Sequence, residues 1–363
     1  MYKTTIILFG FSLGLLSTQS RATTYYLDSA SGNDFRAGAQ ATAPWKSLQY
    51  ASSKIYYPGD QILLKAGSVW NEPLEITTSD AEGDPIIIGS YGVGEQPMLT
   101  SSIVSSSPIT LSSARNVVIS NLKIQSSSRS LIVVKGGSNI TVSHCTLING
   151  ATFPIHVIGS PGFKFLYNTY SNTSTFRVVG DVLRAESQVS GITVSGNHIT
   201  LSGPSRSACG IYIMDVNNAV ISGNIITGGS QAIGIKGYTH SVTGAQVYSN
   251  TVSGTDKSLG GDGESIEFTG VRRLGPWSVS GTIHNNVVKG GRYTMNGIAA
   301  YAGTNITAYS NTVSGPLQNS AFHWTTYSKN GVIHNNKVSG SVPNPFVVLS
   351  GSSAKMYSNT ITR

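Results

Sequence analysis

The sequence predicts an all-β fold, a right-handed parallel β-helix (β-solenoid) closed by an N-terminal cap. Short strands with alternating apolar residues recur along the chain, and an asparagine returns beside them every 27, 26, 36, 25, 25 and 23 residues. Repeats of about 20–50 residues built from short strands are typical of solenoids, and parallel crossovers are right-handed. The composition agrees, since 41 of 363 residues are glycine and only 11% are charged, whereas helical proteins carry more Glu, Lys, Leu and Ala.

The first 22 residues are interpreted as a secretory signal peptide. Lys3 supplies a positive charge, Ile6 to Leu16 form a short apolar run, and Ser20-Arg21-Ala22 offers small residues for cleavage. Such a run is too short to span a bilayer. Residues 23–363 are therefore expected to form a secreted, extracellular protein without a membrane partner.

The charge of the chain favours an anionic partner. The formal charge is +8, and removal of the leader leaves 22 basic against 16 acidic residues, a charge of +6. A basic secreted protein suits an acidic polysaccharide, although modest charge also serves solubility. No P-loop or dinucleotide fingerprint is present, and we expect a monomer without a nucleic-acid partner.

Residues 23–100 are predicted to form the N-terminal cap and first rungs, and residues 101–363 the regular rungs. A short helix is expected from Ser47 to Lys54 and a turn from Tyr57 to Asp60. Stacked repeats need an atypical terminal unit to cover the open core. This segment also resembles the N-terminal cap of secreted right-handed parallel β-helix proteins, through Tyr25-Tyr26-Leu27-Asp28, Gly32-Asn33-Asp34, Pro44-Trp45-Lys46-Ser47-Leu48, Pro58-Gly59-Asp60 and Gly89-Ser90-Tyr91-Gly92.

The recurring asparagines are expected to stack as a column whose amides hydrogen-bond from rung to rung. Asn168 is predicted to start the column, with Cys145 in its place one rung earlier. Cys145 and Cys209 are either bonded or buried as free thiols. The 36-residue interval implies an insertion from Thr255 to Gly263. An antiparallel sandwich would not give this column, which comprises Asn197, Asn224, Asn250, Asn286, Asn311, Asn336 and Asn359.

A second strand of each rung is expected to carry two columns of outward side chains, because successive residues of a strand face opposite ways. One column reads His156, Arg184, Tyr212, Gly234, Glu267, Ala299 and His323. The other reads Ile158, Glu186, Met214, Lys236, Thr269, Tyr301 and Thr325. Rungs about 4.8 Å apart place the Cα atoms of Tyr212 and Lys236 about 8 Å apart, so their tips are expected to converge.

These columns gather charged residues on one wall of a weakly charged chain. We interpret the wall as a site for β-elimination on a uronate chain, which needs a neutralised carboxylate, a base and an acid. Arg184, helped by His156, is predicted to neutralise the carboxylate. Tyr212 is preferred as the base and Lys236 as the acid, because flanking cations should lower the pKa of Tyr212. The reverse assignment stays open.

The β-helix, the leader and a Tyr and Lys on adjacent rungs together resemble the secreted alginate lyases of polysaccharide lyase family 31. The resemblance implies cleavage of an acidic polyuronide, foremost alginate, by a Tyr/Lys pair, here Tyr212 and Lys236. Further substrate contacts are predicted from Glu267, Tyr301, His323 and the loop pair Arg272-Arg273.

Other functions stay open. No cofactor and no metal is predicted, and the alternative is a calcium site formed by Asp262, Glu264 and Glu267. A glycoside hydrolase needs carboxylates about 5–9.5 Å apart, and the available ones are Asp215, Asp262, Glu264 and Glu267. A uronan epimerase shares the proton abstraction. A non-catalytic carbohydrate-binding β-helix would use exposed aromatics such as Tyr301 and Trp277, whereas Trp324 is expected to point inward.

Overall fold

The computed structural model describes residues 22–76, 82–101, 106–126, 128–172, 180–187, 189–202, 209–271, 276–325 and 327–362. Within them the chain winds as a right-handed parallel β-helix with three parallel sheets of 13, 11 and 12 strands, which confirms the predicted fold class. The predicted leader lies outside the described residues except for Ala22. Among the described residues, no helix has the length and apolar character that crossing a membrane requires.

Strands are numbered β1 to β36 in chain order. The first sheet contains β1 Thr24–Leu27, β2 Gln61–Lys65, β5 Ile86–Tyr91, β8 Arg115–Ser120, β11 Ser138–Ser143, β14 Lys164–Leu166, β17 Thr193–Ser195, β20 Val220–Ser222, β23 Val242–Tyr248, β26 Val279–His284, β29 Gly303–Tyr309, β32 Gly331–His334 and β35 Ala354–Tyr357.

The second sheet carries the predicted wall and is called the groove sheet. It contains β4 Leu74–Ile76, β7 Ile109–Ser112, β10 Ile132–Lys135, β13 Ile155–Ile158, β16 Leu183–Glu186, β19 Cys209–Met214, β22 Gln231–Gly237, β25 Glu264–Gly270, β28 Asn296–Tyr301, β31 Ser320–Thr325 and β34 Asn344–Val348.

The third sheet contains β3 Val69–Asn71, β6 Met98–Thr100, β9 Lys123–Ser126, β12 Thr146–Asn149, β15 Thr169–Ser171, β18 His198–Leu201, β21 Ile225–Gly228, β24 Thr251–Ser253, β27 Val287–Lys289, β30 Thr312–Ser314, β33 Lys337–Ser339 and β36 Thr360–Thr362.

Alternation along each strand builds one continuous apolar core between the three sheets. In the groove sheet, Ile211 pairs with Ile233 and Ile213 with Ile235, and all four side chains are buried. Branched side chains stack well on a pleated surface, and each buried isoleucine contributes about 1.5–3 kcal/mol of apolar transfer free energy. Trp324 is also buried, so its predicted inward direction is confirmed.

The predicted asparagine column lies in the turn between the first and third sheets. Asn224 Nδ2 donates to Asn250 Oδ1 at 2.9 Å and to the Val194 carbonyl at 2.9 Å, and the same pattern repeats along the column. The column begins at Asn168, whose Oδ1 accepts the Cys145 N–H at 2.9 Å. Cys145 and Cys209 are both free and buried.

The N-terminal segment packs the predicted short helix, α1, against the first rungs. α1 spans Leu48–Ser52, and the Ser47 hydroxyl caps it by accepting the Tyr50 N–H at 3.0 Å, as serine does at helix starts. The expected turn is also present, since the Asp60 N–H donates to the Tyr57 carbonyl at 3.0 Å. The boundary at residue 100 stays a prediction.

The predicted insertion connects β24 to β25 and runs along the groove sheet. It contains a single 3-10 turn, Lys257–Leu259. The Asp256 N–H donates to the Gly229 carbonyl at 2.9 Å, and the Lys257 N–H donates to the Tyr293 carbonyl at 3.1 Å. These contacts fix the path of the loop, which brings Asp262 to the groove.

Candidate active site

The two predicted columns are present on the outer face of the groove sheet with the predicted register. Arg184 pairs with Tyr212, and Tyr212 with Gly234. In the second column, Met214 pairs with Lys236, and Lys236 with Thr269. Parallel pairing in this register therefore stacks the candidate residues on one face of neighbouring strands. A register shifted by one residue would move them to the opposite face.

A cavity of about 320 Å³ opens between these columns. It is wide because Gly234 leaves the centre of the sheet without a side chain, and a Cβ there would lie only 3.0 Å from Tyr212 Cδ2. The insertion closes one side. The polar groups that line the cavity include Asp181, Arg184, Tyr212, Ser230, Gln231, Lys236, Asp262 and Glu267.

Tyr212 and Lys236 lie beside each other in this cavity. The Lys236 Nζ is 5.8 Å from the centre of the Tyr212 ring, and the Arg184 Cζ is 5.5 Å from the same ring. Among the described residues, neither the Tyr212 hydroxyl nor the Lys236 amine has a hydrogen-bond partner or ion-pair partner. Both groups are therefore available to a molecule in the cavity.

The prediction that neighbouring cations lower the pKa of Tyr212 is wrong. Burial raises its pKa, and the carboxyls of Asp181 and Glu267 and the thiol of Cys209 raise it further, while Arg184 opposes them. Desolvation of the phenolate raises the pKa more than the attraction of Arg184 lowers it. At neutral pH, Tyr212 is therefore a phenol and a proton donor.

Arg184 is held by two carboxylates, which the sequence analysis did not predict. Its Nε donates to Glu186 Oε2 at 2.8 Å and its Nη1 lies 3.4 Å from Asp181 Oδ2. Its guanidinium also stacks on the Phe153 ring at 4.7 Å. Burial lowers the pKa of Arg184, but the Glu186 hydrogen bond and the nearby acidic groups raise it more, so Arg184 stays charged. His156 Nε2 lies 2.9 Å from Glu186 Oε1 and thereby joins the same network.

Two carboxyls that line the cavity have pKa values near neutrality. Burial raises the pKa of Asp181 to about 6, against the opposing charge of Arg184. Burial raises the pKa of Glu267 to about 7, with the charge of Glu264 adding to it and a hydrogen bond from Thr269 opposing it. Both groups can therefore exchange protons near neutral pH. Sequence reasoning missed Asp181, which precedes β16 by two residues.

Glu267 lies deeper than its predicted role in substrate binding implied. Its side chain accepts hydrogen bonds from Gln231 Nε2 and Thr269 Oγ1, and the residue is 7% exposed. One oxygen of Glu267 lies within 4.8 Å of oxygens from Asp262 and Glu264.

The other predicted substrate contacts fall on both sides of this cluster. The Tyr301 hydroxyl donates to Glu264 Oε1 at 2.8 Å. The His323 ring lies edge-on to Tyr301 with ring centres 6.1 Å apart, and burial lowers its pKa. Both residues belong to the groove sheet, and their role in substrate binding stays a prediction. Arg272 and Arg273 lie outside the described residues.

A third column of side chains, which the sequence analysis did not consider, borders the groove. Cys209 pairs with Gln231 and Glu264 pairs with Asn296, each two positions before the first inward isoleucine of its strand. Period-two alternation assigns these positions to the same face as the inward isoleucines, so the alternation alone would not have placed them beside the groove.

Comparison with known proteins agrees with this architecture. Residues 75–252 match the family described as a right-handed beta helix region. A lacto-N-biosidase of Bifidobacterium longum subsp. longum is 35% identical over 139 residues, which are 37% of this chain and 9% of that protein. The chain thus spans only a small part of this curated relative.

Several solved structures have the same fold. A GH136 lacto-N-biosidase from Eubacterium ramulus superposes with a TM-score of 0.53 at 15% identity, covering 93% of this chain and 68% of that chain. A pectate lyase gives 0.56 at 15% identity, covering 93% and 79%. An alginate lyase from Paenibacillus sp. gives 0.50 at 16% identity, covering 82% and 94%. These likenesses establish the fold, a right-handed parallel β-helix.

Proposed function

We propose that this protein is a carbohydrate-active enzyme, specifically a polysaccharide lyase that cleaves a polyuronide such as alginate by β-elimination. The observation that carries the proposal is the Tyr212 hydroxyl and the Lys236 amine side by side in one cavity without partners among the described residues. Arg184 in the same cavity keeps its charge. Pectate and alginate lyases share the fold, which is compatible with this chemistry.

The raised pKa of Tyr212 favours its hydroxyl as the acid and Lys236 as the base. Lys236 Nζ takes the ring proton beside the uronate carboxylate, and the released electron pair forms a carbon–carbon double bond. The bond to the glycosidic oxygen breaks, and the Tyr212 hydroxyl gives its proton to that oxygen. Lys236 Nζ accepts the proton through its lone pair. This reverses the base and acid roles preferred from the sequence.

Secretion fits the same proposal. A polyuronide is too large to cross a membrane intact, so an enzyme that cleaves it works outside the cell. The predicted leader at residues 1–22 would direct the chain there.

The test is a panel of alginate, pectate, glucuronan and hyaluronan, followed by ultraviolet absorbance of the unsaturated uronate product. We expect Tyr212→Phe and Lys236→Ala each to lower turnover on the accepted polymer about 10²–10⁴-fold. Tyr238→Phe, an exposed tyrosine that does not line the cavity, and Lys289→Ala, an exposed lysine of the third sheet, are matched controls that should keep full activity. Absence of unsaturated product on every polyuronide would contradict the proposal.

A second candidate function is glycoside hydrolysis. The cavity holds two buried carboxyls, Asp181 and Glu267, and retaining and inverting hydrolases both use a carboxyl pair. The lacto-N-biosidase relative also favours it. Release of reducing ends without ultraviolet absorbance, abolished by Asp181→Asn but retained in Tyr212→Phe, would select this function over elimination.

A further inference from the structure

Asp262, Glu264 and Glu267 bring three carboxylates together at one side of the cavity. One oxygen from each lies within 4.8 Å of the others. Ca²⁺ binds oxygen ligands at about 2.3–2.6 Å, so any two of its ligand oxygens lie at most about 5 Å apart. The spacing of the three carboxylates therefore fits one ion of this size.

Glu264 distinguishes this cluster from an ordinary acidic patch. Its side chain is 2% exposed, and Oε1 accepts hydrogen bonds from the Tyr301 hydroxyl at 2.8 Å and from Asn296 Nδ2 at 3.1 Å. Its other oxygen, Oε2, is buried and has no hydrogen-bond partner among the residues that the structure describes. Buried polar atoms are nearly always partnered, and a buried carboxylate is costly unless it is paired or binds a metal.

The three ligand positions are fixed by neighbouring groups. Gln231 and Thr269 hold the Glu267 carboxyl by hydrogen bonds. Asp262 is positioned by the insertion, where Gly263 adopts a φ of +81° and its carbonyl accepts the Met295 N–H at 2.9 Å. Hydrogen bonds that orient metal ligands in this way are a regular feature of metal sites.

Within the described part of the chain, no side-chain cation forms an ion pair with the cluster. Among the described residues, no lysine, arginine or histidine nitrogen lies within 4.0 Å of an oxygen of the three carboxylates. Lys236 on the adjacent strand acts on Glu267 only through longer-range attraction. The negative charge of the cluster is thus left for a ligand to balance.

We propose that Asp262, Glu264 and Glu267 bind one divalent cation of the calcium type, with water completing its coordination. The site does not depend on the lyase reaction, because the protein can bind the ion without saccharide. Where the lyase function and the ion site both hold, the bound ion offsets most of the carboxylate charge at this end of the groove, which reduces the repulsion of a uronate carboxylate beside Lys236.

Terbium luminescence tests the site directly. Tyr301, whose hydroxyl contacts Glu264, lies close enough to sensitise Tb³⁺ bound by the three carboxylates. We expect the chelator-treated full chain to bind one Tb³⁺ with saturable emission that Ca²⁺ displaces. Calorimetry with Ca²⁺ alone should give the same stoichiometry.

Variants separate this site from unspecific binding. Glu264→Gln keeps the acceptor for Tyr301 and Asn296, and we expect it to weaken Ca²⁺ binding at least about tenfold. Asp262→Asn, on the exposed insertion, should do the same without a risk to folding. Glu95→Gln, an exposed carboxyl elsewhere, is the control and should bind as the wild type does. Wild-type affinity in both Asp262→Asn and Glu264→Gln, or no saturable binding at all, would overturn the site.

Discussion

Burial outweighs charge at the residues of this cavity. Tyr212 lies within cation–π distance of Arg184 and Lys236, yet its pKa is raised because its phenolate would lose water and face carboxyls. The repeat pattern of the sequence identifies which charged residues lie on adjacent strands, but not how much water remains around them. The direction of a pKa shift at this site therefore depends on the three-dimensional packing.

Asp181 ties folding stability to pH in a defined direction. Burial raises its folded pKa to about 6, against about 3.9 in an unfolded chain. The folded state thus holds the proton more tightly, so the stabilisation is complete below about pH 4 and is lost as pH rises through about 6. Between about pH 4 and about pH 7, we expect the free energy of unfolding of Asp181→Asn to rise by up to about 3 kcal/mol relative to that of the wild type. Denaturant unfolding at each pH measures this difference.

Asp34 provides the control of opposite sign. Burial alone would raise its pKa, but hydrogen bonds from Ser47 and Lys46 lower it. Its stabilisation is therefore present above the unfolded pKa and lost as pH falls. As pH rises, the free energy of unfolding of Asp34→Asn should fall relative to that of the wild type, whereas that of Asp181→Asn should rise. A shift of both variants in the same direction would refute the assigned environment of Asp181.

At the scale of the element, the asparagine column stabilises the turn between the first and third sheets. Asn250 is fully buried. Its Nδ2 donates to the Ile221 carbonyl at 2.9 Å and to Asn286 Oδ1 at 3.0 Å, and its Oδ1 accepts the Asn224 N–H at 2.9 Å. Truncation leaves these partners buried without water.

We therefore expect Asn250→Ala to lower the free energy of unfolding by about 2–4 kcal/mol. Asn359→Ala is the matched control, because Asn359 is half-buried and ends the column at the last rung. It should cost clearly less in the same urea titration. Equal losses at both sites would show that the column does not act through buried hydrogen bonds.

The elements that sequence could predict are those set by repetition. The period-two alternation and the asparagine spacing predicted the strands, their register and both groove columns, because shifting the register by one residue would bury Tyr212 and expose Ile211 and Ile213. The contacts that this repeat pattern did not predict are made by loops. Asp181 meets Arg184 from the segment before β16, and Asp262 reaches Glu267 from the insertion. No periodic signal fixes a loop path.

At the scale of the whole molecule, the groove is longer than its reactive centre. The column from His156 on β13 to His323 on β31 crosses seven neighbouring strands, a length of about 29 Å at about 4.8 Å per strand. The pair of Tyr212 and Lys236 lies near its middle. A groove of this length can hold several sugar units on each side of the cleaved bond.

His323 lies two strands beyond Glu267. Its Nδ1 is buried and has no hydrogen-bond partner in the described ranges, so a bound sugar can supply the missing contact. Under the proposed function, we expect His323→Ala to raise KM for the polymer several-fold while kcat/KM for the shortest cleaved oligomer stays within about twofold, because remote contacts add uniform binding. His334→Ala is the matched control, since His334 belongs to the first sheet, stacked between Tyr309 and Tyr357. An equal loss of kcat/KM on polymer and oligomer would instead place His323 at the reacting bond. No loss of kcat/KM on either substrate would mean that the substrate does not extend along this half of the groove.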